Sequence, residues 1–349
     1  MTAPFPLAEP AAARLVDGLP DAIDTIAEAG PGSHRFLRRA WYAAALAAYG
    51  GTARTVLVEA GGRPVLAVPL VPIGPTWLKV AAIPGSYWPF RSPVADSAAN
   101  PRAYTAAAAV LARNLRALRI GPVQDGDPVA EALVDAAHAA GWRVVERDVG
   151  ESWLLDLTEQ PWPRTTTLRK NRFHEKHLAG HGALEWSWLE PRDWPGGFDV
   201  LAEVERSSWH GGKADAKFSG SHGAFWRAAA TDPVIAQSFH AALLRVDGRP
   251  AAFSFDIDAG PRLYAVANSY DPQYAKHSPG KLLQYRNLVA ARDRGATLVD
   301  WGAGDSGYKR TLGAVAGPRL RDWLLFSPRV PSYVARLAAR RWRRSGVAV

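Results

Sequence analysis

Two short stretches of the chain bring together residue types that do chemistry. The first reads Tyr270-Asp271-Pro272-Gln273-Tyr274-Ala275-Lys276-His277-Ser278-Pro279-Gly280-Lys281-Leu282-Leu283. It is a polar loop after the apolar run Arg262–Asn268, and Ser-Pro-Gly opens a helical segment behind it. Free backbone N–H groups at a helix start, with the helix dipole behind them, make an anion site suited to a pyrophosphate or a phosphodiester. Ser278, Pro279, Gly280 and Lys281 are the candidate anion-binding residues, flanked by Asn268 and Tyr270 and with Lys276 adding charge. An ordinary capped helix start reads the same way.

The second stretch is Val299-Asp300-Trp301-Gly302-Ala303-Gly304-Asp305-Ser306-Gly307-Tyr308-Lys309-Arg310-Thr311-Leu312-Gly313. A strand ends in a glycine-rich polar loop, the position at which open α/β sheets bind ligands. The glycines permit close backbone approach. Asp305, Tyr308 and Lys309 supply an acid, a phenol and a cation. The spacing fits neither a Rossmann nor a Walker motif, and the bland alternative is a turn-rich connection with a surface lysine.

Other chemistries find little support. The chain has no cysteine, which removes disulfides, thiolate nucleophiles and Cys-ligated metals. His174-Glu175-Lys176-His177 is not H-E-x-x-H, and Gly180 and Gly182 interrupt the helical face that His174, His177 and His181 would share, so no metal site is expected. No Gly-x-Ser-x-Gly elbow is present. Trp186, Trp188 and Trp194 are expected in strand and core positions.

An internal repeat supplies the elements that must position these residues. Val56 to Val68 and Ala242 to Ser254 each read as strand, Gly-Arg-Pro turn and strand, a β-hairpin pattern. The same offset carries Ser92-Pro93 onto Ser278-Pro279, and a helix is expected after each, over Arg102–Leu118 and Lys281–Arg294. Two fused copies of one α/β unit follow from this register. Gly121-Pro122 closes the first copy's helix–strand pair. A short helix over Glu131–Ala140, a strand over Trp142–Arg147 and a second strand over Ser152–Leu157 come next. Gln160-Pro161-Trp162-Pro163 breaks that strand ahead of a basic helix, and Pro331–Arg344 reads as a basic amphipathic helix. The expected domains are 1–145 and 146–349.

Length and charge agree with two globular domains and an anionic partner. At 349 residues, 48% hydrophobic and 21% charged, the chain is long enough to bury two cores. No apolar run reaches the length of a membrane span, and the N-terminus lacks a secretory pattern, so a soluble cytoplasmic protein is expected. Lys and Arg outnumber Asp and Glu by 42 to 33, a net charge of +9, which favours nucleic acid, a phosphorylated cosubstrate or a membrane surface.

The duplicated α/β unit, Tyr-Asp-Pro-x-Tyr-Ala-x-x-Ser-Pro-Gly-x-Leu-Leu and Gly-Asp-x-x-Tyr-Lys ahead of a glycine resemble the double-domain GNAT acyltransferases. Within them the chain is most similar to the cellulose-biosynthesis (CelD-like) acetyltransferases, with the Fem peptidyltransferases as more distant relatives. The resemblance covers residues 151–315 best, including Leu168-Arg169-Lys170-Asn171-Arg172, and is architectural in the first half. It implies an α/β (α+β) fold of tandem GNAT-like units related by pseudo-symmetry, each a mixed sheet flanked by helices. It implies acyl transfer onto an amine of a small-molecule or cell-envelope acceptor, with no tightly bound cofactor. Ser278–Lys281 then corresponds to the donor-phosphate loop, with Arg169 and Lys170 nearby. The first copy, Ser92-Pro93-Val94-Ala95, has no glycine, so only the second is expected to bind donor.

Two donors stay open, acyl-CoA and aminoacyl-tRNA. Lys309-Arg310-Thr311-Leu312-Gly313 is similar to the Lys-x-x-Phe-Gly stretch of Fem enzymes, which take the acyl group from aminoacyl-tRNA. Arg172, Lys176, Arg340, Arg341, Arg343 and Arg344 are the candidate tRNA or anion contacts, and the C-terminal helix equally suits an anionic membrane surface. By the same resemblance Lys309 is expected to stabilise the oxyanion and Tyr308 to protonate the leaving atom, while Asp305, on the Gly304–Gly307 loop, is placed to accept the amine proton. A non-catalytic basic binding protein is the third reading.

Overall fold

The structure is a computed structural model that describes residues 11–86, 90–159, 165–208, 216–304 and 307–345, Tyr308 by its backbone alone. The chain forms two units, crossing from the first to the second at 149/150 and back at 319/320. The first crossing lies four residues beyond the boundary expected from sequence. Residues 320–345, which the repeat assigns to the second half, pack in unit 1, and residues 43–49 are counted with unit 2.

Unit 1 begins with β1 (Ala11–Asp17), α1 (Ala22–Ala29), α2 (Arg39–Tyr49) and the hairpin β2 (Arg54–Ala60) and β3 (Arg63–Pro72). β4 (Val80–Ala82), β5 (Val94–Ala95), α3 (Pro101–Asn114), β6 (Ala117–Gln124), α4 (Pro128–Ala139) and β7 (Arg143–Asp156) follow. β2 and β3 are antiparallel with Ala60 opposite Arg63, as the hairpin pattern predicts. β4 and β6 are parallel, with α3 as the crossover between them.

Unit 2 contains α5 (Thr165–Leu178), β8 (Leu184–Leu189), α6 (Trp194–Ser207), α7 (Gly220–Ala229) and α8 (Pro233–Ser238). The hairpin β9 (Phe239–Val246) and β10 (Arg249–Ala259) leads to β11 (Arg262–Tyr270), α9 (Pro279–Asp293), β12 (Leu298–Ala303) and α10 (Tyr308–Leu312). β13 (Val315–Phe326) and α11 (Ser332–Arg344) are the last elements among the described residues. Hairpin, strand, helix and parallel strand therefore recur in the same succession in both units, each a mixed sheet with helices against it.

The details correct the sequence reading in three places. Ser92-Pro93 precedes β5, not a helix; the counterpart of Ser278-Pro279 is Asn100-Pro101, where the Asn100 side chain accepts from the N–H groups of Arg102 and Ala103. The Ser-Pro match at constant offset is a coincidence inside a real repeat. α3 stops at Asn114 and not at Leu118, because Leu115 turns extended and Ala117 already pairs in β6. Trp142–Arg147 and Ser152–Leu157 are parts of one fourteen-residue strand, since Gly150 (φ +127°) keeps the chain extended through a conformation other residues avoid.

Alternation along β10 sets up the core of unit 2. Phe253, Phe255 and Ile257 point to one face, where Phe255 meets Trp194, Phe198, Phe218, Trp226 and Phe239 at ring-centroid distances of 5.2–6.0 Å. Each such buried ring contributes about 1.5–3 kcal/mol. On the opposite face α9 lays Leu282, Leu283, Tyr285 and Leu288 into clusters with residues of β9 to β12. The two faces are covered, and the ends of the strands are left for function.

Candidate functional site

The site grows from the way β11 and β12 leave one another. They pair in parallel over Arg262↔Leu298, Leu263↔Val299 and Tyr264↔Asp300. Beyond that, β11 runs on with β10 as far as Tyr270↔Ala252, while β12 finds Ser152 of β7 at Ala303 after a register shift. The carboxyl ends of two parallel strands thus diverge, and α9 begins just beyond the longer one. This is the crevice at which open α/β sheets bind ligands.

The turn into α9 is shaped by Ser278. It holds φ +52°, a left-handed conformation that costs a non-glycine residue of order 1 kcal/mol or more. Its N–H donates to the Ala275 carbonyl and its own carbonyl accepts from the Leu282 N–H, while its side chain makes no cap bond. Pro279 has no N–H, so Gly280 and Lys281 are the first-turn residues whose N–H groups helix geometry leaves without a carbonyl inside the helix. Gly280 lies against the Tyr270 ring: a Cβ there would come within 2.9 Å of Tyr270 Cδ1. The sequence-predicted residues Tyr270, Ser278, Pro279, Gly280 and Lys281 therefore meet at one turn, with Asn268 two residues back on β11.

Lys309 sits at the end of the other diverging strand. Its side chain is buried, 5% exposed, and Nζ donates to the carbonyls of Trp301 (2.7 Å), Gly304 (2.6 Å), Gly302 (3.1 Å) and Ala303 (3.3 Å). Gly302 (φ +62°) and Gly304 (φ +83°) turn successive carbonyls toward one point, which residues with side chains rarely allow. The Asp300 carboxylate accepts from the Gly302 N–H at 2.8 Å. Lys309 thus gathers four consecutive backbone carbonyls at the end of β12. Asp305 and the Tyr308 side chain lie outside the described residues.

Basic residues surround α9 differently from expectation. Arg286 Nη2 of α9 donates to Glu175 in the C-terminal half of α5 at 2.6 Å, and His181, just after α5, meets His277, just before α9, Nε2 to Nε2 at 3.0 Å. Partial desolvation, then the positive neighbours His181, His177, His174 and Lys276, hold His277 below the usual imidazole range. Arg169 and Lys170 lie further toward the start of α5, exposed, and no described hydrogen bond or ion pair joins them to residues 278–281. Arg172 and Lys176 are exposed on the same helix. Arg340, Arg341, Arg343 and Arg344 are on α11 in unit 1. Trp194 is core and Trp186 stacks under Arg286 at 4.2 Å, whereas Trp188 is exposed.

A polar cluster under α9 was not foreseen. Ser254 and Asp256 of β10 face Gln284 and Asn287 of α9, all at most 2% exposed. Asn287 Nδ2 donates to Asp256 Oδ2, and Ser254 Oγ lies 3.3 Å from the same oxygen. Burial pushes the Asp256 carboxyl up to about 7 against the lowering pull of Asn287 and Ser254. The signal was in the sequence: polar residues at alternate positions of an apolar strand, and an i, i+3 polar pair in an apolar helix.

Residues 164–310, which include both chemical stretches up to Arg310, match the family described as Acetyltransferase (GNAT) domain. No curated protein matches the chain. Among solved structures, FemX is similar with a TM-score of 0.57 at 12% identity, over 91% of this chain and 97% of that one. The C-terminal domain (DUF2156) of a putative lysylphosphatidylglycerol synthetase from Agrobacterium fabrum gives 0.55 at 16% identity, over 91% and 93%. L-PGS from Bacillus licheniformis gives 0.55 at 12% identity, over 93% and 95%. At such identities the likeness is one of fold. Residues 164–310 thus match the GNAT acetyltransferase domain family, in a chain whose fold is similar to that of these solved structures.

Proposed function

We propose that unit 2 is an N-acyltransferase that moves an acyl group from acyl-CoA to the amine of a small-molecule or cell-envelope acceptor. The observation that carries this reading is the pair of first-turn amides, Gly280 and Lys281, at the mouth of the diverging strands β11 and β12. They would take the donor's pyrophosphate, with the Lys281 and Lys276 ammonium groups adding charge. The thioester then lies along the crevice toward the Trp301–Gly304 backbone. In the reaction the amine nitrogen forms the new C–N bond while the C–S bond breaks. Asp305 takes the proton that the amine releases, and Tyr308 gives one to the leaving thiolate.

Lys309 has a different part in this account from the oxyanion cation expected at first. Its ammonium is already shared among four carbonyls, so we assign it to positioning the end of β12 and, with it, Asp305 and Tyr308. The reading places the enzyme in the cytoplasm, where its donor is made. Release of free thiol from acetyl-CoA in the presence of an amine panel tests it. Turnover that is lost in Tyr308→Phe supports the reading, and no turnover with any amine removes it.

A second reading, an aminoacyl-tRNA donor, is favoured by one observation. The exposed face of α5 carries Arg169, Lys170, Arg172 and Lys176 alongside the half-exposed or exposed Leu168 and Phe173. Six or more phosphate contacts would make donor binding fall by roughly 10³ or more between about 50 and 200 mM salt, far more steeply than for acyl-CoA. Binding with that slope, together with ribonuclease-sensitive transfer, would replace acyl-CoA by tRNA.

A further inference from the structure

Unit 1 carries a surface that the acyl-transfer site does not use. α11 contains five arginines and no acid, and all five are exposed. Its inner face, Ala335, Ala339 and Trp342, packs on Ala117, Val145 and Phe326. Its outer face shows Tyr333 and Leu337, 64% and 63% exposed, with Val334 beside them. A single exposed leucine means little, but three large apolar side chains on one basic helix do not fit a merely solvated face.

Along one flank of α11 is a pocket of about 200 Å³ lined by Arg143, Arg336, Arg340 and Arg343 with Val145, Ala335 and Ala339. No acid lines it, and the nearest one in sequence, Glu146, is paired with Arg321. Arg143 is steadied by donating to Ser332 Oγ, and Arg343 by donating from Nε to the Glu146 carbonyl. A four-arginine pocket of this size fits a phosphate ester. Val80 packs on the cluster that holds Ala335, and Trp77, three residues earlier, is 70% exposed beside the exposed Lys79.

We propose that this face docks on an anionic lipid bilayer, with a phosphodiester headgroup in the pocket lined by Arg143, Arg336, Arg340 and Arg343 and with Tyr333 and Leu337 entering the interface. The combination decides for lipid over nucleic acid. Arginines alone serve either partner, but a backbone of phosphates gives no reason for Leu337 and Val334 to be bare, whereas the acyl boundary does. The inference is independent of which donor unit 2 uses.

Co-sedimentation with vesicles tests it, using the whole chain. Binding is expected to phosphatidylcholine vesicles containing phosphatidylglycerol and not to phosphatidylcholine alone. Arg336→Ser/Arg340→Ser should weaken it about thirtyfold, from the usual worth of two basic residues near an anionic surface. Leu337→Asp should weaken it as well, with melting temperature unchanged because the side chain is exposed. Equal binding to neutral and anionic vesicles, or no loss in either variant, overturns the proposal. So does a result in which vesicles fail to bind while poly(U) binds and the arginine variant abolishes it, since the face then belongs to RNA.

Discussion

The Lys309 ammonium lies 2.7 Å from the carbonyl oxygen of Trp301, at the point where β12 has left its parallel neighbour. A buried ammonium in a ring of backbone carbonyls is a fastening, and its removal leaves those carbonyls without their donor. Lys309→Met should therefore lower kcat by about a hundredfold or more and destabilise the fold together. Each buried carbonyl left unsatisfied costs about 1–3 kcal/mol. A direct oxyanion role predicts the same fall in kcat with an unchanged melting temperature. Kinetics and thermal unfolding of the one variant separate the two.

Gly280 and Tyr270 form the second testable contact. Gly280→Asp adds bulk where a Cβ would come within 2.9 Å of the Tyr270 ring, and places a negative charge at the amides proposed to hold phosphate. Donor KM should rise about tenfold or more, the worth of one hydrogen bond to a charged group, with a smaller change in kcat. Unaltered donor KM would reduce the turn to a helix start without a ligand.

How much of this was legible in the sequence depends on the range of the interactions. The hairpins, β11 and α9 were readable because alternation, Gly-Arg-Pro and Ser-Pro-Gly are local signals, and the Tyr270–Gly280 contact joins two ends of one such local stretch. The parting of β11 from β12 is set by the pairing of β11 with β10 and of β12 with β7, the latter far away in the chain, and no local pattern announces it. Lys309 stood out by its neighbours Tyr308 and Gly313, yet its use as a carbonyl clamp depends on three-dimensional turns at Gly302 and Gly304. The resemblance implies Arg169 and Lys170 beside the donor loop; the ion pair that ties α5 to α9, Glu175–Arg286, lies in the C-terminal half of α5.

Asp256 makes stability depend on pH in a definite direction. Its carboxyl is raised to about 7, chiefly by burial, so between the ordinary carboxylate range and that value the folded chain holds a proton that the unfolded chain has released. The neutral form's contribution is complete below about pH 4 and is lost as pH rises through about 7. Urea midpoints of the native protein should fall from about pH 5 to about pH 8, and Asp256→Asn should flatten that part of the curve. An identical slope in the variant would show that another group carries it.

In unit 1, Asp322 is fully buried and accepts from Arg119 Nε and Nη2, both at 2.9 Å, and from Arg147 Nη2 at 2.6 Å. Arg147 also donates to the carbonyls of Trp342 and Ser345, which ties the end of α11 to β7 and β13. Asp322→Ala leaves the guanidinium of Arg147 buried without its carboxylate. The expected loss is about 3–5 kcal/mol, read from denaturant unfolding. A loss below about 1 kcal/mol would place the pair among interactions of surface strength.

The central claim is that the start of α9 receives the phosphates of an acyl-CoA. Calorimetric titration of coenzyme A into the wild-type chain and into Gly280→Asp measures this without any knowledge of the acceptor. The account predicts saturable binding at one site in the wild type, a shallow salt dependence, and about tenfold or more weaker binding in the variant. Absence of binding to the wild type, or equal affinity in both proteins, would contradict it.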